Sequence, residues 1–122
     1  MDAIKFNLKD VEILYSFPSV PSELSTVIRC FTFLFRTAQP TFDEVTSCVS
    51  KSLRAGIICE SCGKYTVKED WYRKIHINDE IAENEIESML LFEESFVGVE
   101  LTVVNDFVRL FSREHYEMSI KK

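Results

Sequence analysis

Between residues 75 and 108 the chain has no lysine or arginine, and over its whole length it has three glycines, three prolines and two histidines. So few glycines exclude collagen-like order and leave little for the Gly-rich loops that cradle phosphates. Two histidines, neither beside a nucleophile elbow or an acidic partner motif, give hydrolytic catalysis little material, and no enzyme is expected. No apolar run approaches the roughly eighteen residues that span a bilayer. The opening Met1-Asp2-Ala3-Ile4-Lys5 lacks the basic region, apolar run and small-residue cleavage site of a secretory leader. A cytoplasmic protein away from membranes is the expectation. The four cysteines agree with a reducing compartment, because Cys30 and Cys48 fall within helical patterns where a thiol behaves as a small apolar side chain.

What is present suffices for one core. With 122 residues, 46% hydrophobic and 28% charged, residues 1–122 read as a single globular domain that needs neither a disulfide net nor a metal. No cofactor is expected. Leu24, Val27, Ile28, Phe31, Leu34 and Phe35 recur at helical spacing, with Ser22 as cap and Pro40 as the end of the segment. Thr41 and Glu44 form a capping box for a second helix over about 42–55, which Gly56 stops. Ile57 and Ile58, a turn at Glu60-Ser61-Cys62-Gly63 and then Lys64 to Val67 read as a tight β-hairpin. Asn78 followed by Asp79 and Glu80 predicts another helix start.

Two stretches read both ways. Ile4, Phe6 and Leu8 alternate as in a strand, while Leu8, Val11, Leu14 and Tyr15 repeat as on a helix with Asn7 as cap, the preferred reading. Val97, Val99, Leu101 and Val103 alternate, yet Leu101, Val104, Phe107, Val108 and Phe111 are helically spaced. The fold class expected is mainly α with a small β-hairpin.

The run from Glu44-Val45 to Leu53-Arg54-Ala55-Gly56-Ile57-Ile58, followed by Gly63-Lys64-Tyr65-Thr66-Val67, resembles the end of a winged-helix domain. With the preceding helix the resemblance covers about residues 22–71, and it implies a winged-helix-like core with C-terminal helices. The span from Thr41 to Gly56 is only sixteen residues, too few for both helices of a helix-turn-helix. The resemblance implies a DNA-facing set of Ser47, Ser50, Lys51 and Arg54 on the helix and Lys64 on the wing. Three cations make a thin footprint for phosphate contact, so nucleic acid is disfavoured as a partner, and a DNA-binding regulator is the alternative reading.

Cys59-Glu60-Ser61-Cys62-Gly63 resembles half of a zinc ribbon. A second pair is missing, so Cys59 and Cys62 are weak metal candidates, and a plain hairpin turn is the simpler reading.

The charge distribution supports a sharper expectation. Residues 1–56 carry six basic and six acidic residues, so the net −6 of the chain lies entirely in residues 57–122. Seven carboxylates fall between Asp79 and Glu94 without a cation. Mutual repulsion there costs stability, while the field attracts a basic partner and speeds its association. Asp79, Glu80, Glu83, Glu87, Glu93 and Glu94 are the candidate partner-binding residues, the first four clustering on one side of the helix predicted from Asn78. The expected function is a non-enzymatic, acidic interaction module for a basic protein. One such partner is a nuclease toxin whose cationic groove is blocked, as immunity proteins and antitoxins do.

Overall fold

A computed structural model describes residues 3–36 and 38–121. The chain builds β1 (Ala3–Ile4), α1 (Leu8–Tyr15), α2 (Leu24–Phe35), α3 (Phe42–Arg54), β2 (Ile58–Ser61), β3 (Lys64–Val67), α4 (Glu69–Ile75), α5 (Glu85–Phe96), β4 (Leu101–Thr102) and α6 (Arg113–Ile120). The fold is mainly α, with two antiparallel two-stranded sheets, β1 with β4 and β2 with β3. None of the described helices is long and apolar enough to cross a membrane.

Both readings of the N-terminus are realised in turn. Ile4 pairs with Leu101 in the short sheet, and three residues later Asn7 caps α1. The Asn7 side chain accepts from the Asp10 amide at 2.8 Å, and the Asp10 carboxylate accepts from the Asn7 amide at 2.9 Å. The stripe on α2 is internal, with Leu24, Val27, Ile28 and Phe31 buried. Two details of α2 differ from expectation. Glu23 stands at the N-cap, because Ser22 is engaged elsewhere: its backbone exchanges bonds of 2.9 and 2.7 Å with Tyr65 of the hairpin. The helix also stops before Pro40, at Arg36, whose backbone turns left-handed at φ 49°.

The Thr41–Glu44 capping box is present, with bonds of 2.8 and 3.1 Å. At the other end of α3, Gly56 has φ 74°. Its amide donates to the Leu53 carbonyl at 3.2 Å and the next, from Ile57, to Ser52 at 2.9 Å, which closes a Schellman motif. A side chain at position 56 would be strained, and a Cβ there would meet Val104 at 3.4 Å. The hairpin then turns through Cys62 and Gly63, at φ 53° and 78°, the mirror-image geometry that fits strand twist.

After Gly98, where the sequence reads both as helix and as strand, the chain forms neither a helix nor a long strand. Only Leu101 and Thr102 pair. Amides of Val104 and Asn105 then donate to the Arg54 carbonyl at 2.7 and 3.0 Å, satisfying the end of α3. The core fills the space where α1 lies against α3 and α5, and α2 against α6. Phe6, Leu14, Phe31, Val49, Ile57 and Ile75 are among its most deeply buried side chains.

Candidate functional site

The helix predicted from Asn78 forms later, because the Asp79 side chain is tied to Tyr15 of α1 and Ser88 of α5. Residues 76–84 make successive turns, and α5 begins at Glu85 with Asn84 as its cap, the side chain accepting from the Glu87 amide at 2.9 Å. Asp79 Oδ1 accepts a bond of 3.0 Å from the Tyr15 hydroxyl of α1 and a short one from the Ser88 hydroxyl of α5. Its Oδ2 lies 3.2 Å from Nδ1 of His76. Three donors on one carboxylate offset the loss of a helix start. A helix continuing through residue 79 would instead have ranked four carboxylates along one side.

His76 closes α4. Its ring is flanked by Tyr15 and Tyr72, with centroids 4.4 and 4.3 Å away. Burial holds its pKa below the ordinary value against the opposing pull of Asp79 and Glu85. Burial also pushes the Tyr15 phenol up to about 12, with the Asp79 and Glu85 carboxylates adding to it. Near neutral pH the arrangement therefore holds a neutral imidazole whose Nδ1 proton is given to Asp79, leaving Nε2 as an acceptor. Asp79 and His76 stand in the wall of a cavity of about 460 Å³, together with Tyr15, Tyr72, Arg29 and Phe33.

The other side of the same turn faces outward. Ile77 and Ile81 are 71% and 75% exposed, and Ile86 and Leu90 on α5 are also exposed. Glu80, Glu83 and Glu94 in the same stretch are exposed as well. The remaining predicted acidic residues are placed differently. Glu87 is half-buried, its Oε2 accepting from the Glu83 amide at 3.3 Å. Glu93 is turned toward α1, its Oε2 sealed and without a partner. Burial, then Glu12 and Glu94, keep its carboxyl above the ordinary value. Asp79 belongs to the inner cluster. The single-sided helix face predicted for Asp79, Glu80, Glu83 and Glu87 is thus replaced by a turn that divides them.

No family model, curated protein or solved structure matches the chain.

The DNA-facing set implied by the winged-helix resemblance does not share a free face. Lys51 Nζ and Ser47 Oγ both donate to Asp10, at 2.6 and 2.8 Å. Asp10 is 1% exposed, so this helix face is committed to α1. Ser50 and Arg54 are half-buried, and Lys64 is exposed on β3. Cys59 and Cys62 are exposed free thiols in the hairpin. Among the described residues no three His, Cys, Asp or Glu side chains gather where a metal ion could sit. The sequence reading did not single out this inner cluster around His76, a half-buried turn residue. The available signal was the Tyr72-x-x-x-His76 spacing, which stacks two rings on one helical turn.

Proposed function

We propose that this protein is a non-enzymatic interaction module that uses the outer face of residues 77–94 to dock a basic protein. The observation that carries the reading is the interleaving of exposed isoleucine and leucine with carboxylates on that face. Ile77, Ile81, Ile86 and Leu90 alternate with Glu80, Glu83 and Glu94, and the segment has no lysine or arginine. Single exposed apolar residues are ordinary, but an apolar group rimmed by charge of one sign is the make-up of an interface centre and its rim. The apolar residues would supply the buried area, and the carboxylates would steer a cationic partner and set register. A nuclease with a cationic substrate groove has the chemistry this face complements.

The test compares wild type with Glu80→Lys/Glu83→Lys, residues chosen because their side chains lie exposed and outside the Asp79 cluster. Proteins captured from the native host at low salt should be basic and should be released as salt rises. The double reversal should slow association by ~10-fold or more at low salt while leaving the melting temperature in place. Equal capture by the reversed variant would remove the reading.

A further inference from the structure

The cavity of about 460 Å³ lies within the range of small-molecule sites, and its walls differ from the docking face. Tyr15, Tyr72 and Leu34 offer ring and alkyl surface. Phe33 stands at the rim, 80% exposed, so an occupant would cover apolar area now in water. Charge inside the cavity is largely spent. Asp79 already receives Tyr15, Ser88 and His76, while Arg29 and Glu85 are exposed, of opposite sign and hydrated. Three uncharged polar groups of the lining have no hydrogen-bond partner among the described residues, the Tyr72 hydroxyl, the Cys30 thiol and Nε2 of His76, and of these only Nε2 is an acceptor with no hydrogen of its own. Among the described residues nothing hydrogen-bonds to it, and it is not one of the sealed, unpartnered atoms, which are Thr46 Oγ1 and Glu93 Oε2. The ring cannot swing to find another partner, since Tyr15 and Tyr72 hold its faces and Asp79 its far edge.

We propose that this cavity binds a small neutral aromatic molecule carrying one hydrogen-bond donor, of the phenol or indole class, the donor being taken by His76 Nε2. Ring surface against Tyr72, Leu34 and Phe33 supplies affinity, and the fixed acceptor supplies selectivity, because a ligand without a donor leaves Nε2 unpaired once water is expelled. The inference stands apart from the docking face, so either can fail without the other.

The experiment titrates indole and N-methylindole, which differ by the donor, into the full chain and follows the ring resonances of Tyr15, Tyr72 and His76 by NMR. Saturable shifts are expected, with indole about tenfold tighter than N-methylindole. His76→Phe keeps the ring stack and removes the acceptor, and it should bind the two equally. Leu34→Trp fills the cavity from α2 while leaving every member of the Asp79 cluster in the sequence, and it should bind neither, with helical circular dichroism confirming the fold of both variants. Equal affinity of the two probes for wild type, a persisting preference in His76→Phe, or indole binding undiminished by Leu34→Trp would each overturn the proposal.

Discussion

Two aspartates attached to the same helix are handled in opposite ways. Asp10, within α1, is 1% exposed and surrounded by matched partners: the Asn7 amide, the Ser47 hydroxyl and the Lys51 ammonium. Asp79, docked onto the end of α1 through Tyr15, has its side chain about half exposed and is held by two hydroxyls and an imidazole. The first neutralises a charge and fastens α1 to α3. The second keeps an imidazole oriented at the edge of a cavity. A buried ion pair deprived of one partner leaves an uncompensated charge, whereas the donors to Asp79 are neutral and leave no charge behind. The difference separates a fastening from a presentation device.

Asp10→Ala tests the fastening most severely. It removes a helix-capping partner and strands Lys51, and we expect a loss of about 3 kcal/mol in urea unfolding with an unchanged slope. Asp79→Ala should cost less, about 1–2 kcal/mol, because it strands neutral donors and no charge. It should nevertheless free the His76 ring, read as altered ring-current shifts. A reversal of that order would mean that the two clusters have been assigned the wrong roles.

The smallest effect separates them by pH. The folded-state pKa of His76 lies below its ordinary 6.5, so the unfolded chain takes up the proton more readily. Stability from this group is complete above 6.5 and declines as pH falls through the lower folded value. His76→Phe should flatten that part of the stability profile, measured by thermal unfolding between pH 7.5 and 5. An unchanged profile would take His76 out of the account.

Local features were legible in the sequence because each is decided by residues a few positions apart. The Thr41–Glu44 box, the α2 stripe and the positive φ at Gly63 all belong to that class. Asn78 shows the limit: as a cap it was indistinguishable from Asn84, and the choice was made by Tyr15 and Ser88 capturing Asp79. Lys51 entered the DNA-facing set for the same reason, since its partner Asp10 lies 41 positions away. Periodicity reports which face is apolar, and it is silent on which polar groups meet across the core. The segment after Gly98 was undecidable because its bonds go to β1 and to the helix-end carbonyl of Arg54.

The pairing of Ala3 with Thr102 has a kinetic meaning. It joins points almost a full chain length apart through a ladder of two residues, too small a contact to offset the entropy of closing so large a loop by itself. It can therefore form only after α1, α3 and α5 have already brought the ends together. We expect the sheet to be a latch set late in folding, with residues 98–105 closing over the end of α3 once α1 and α5 have packed.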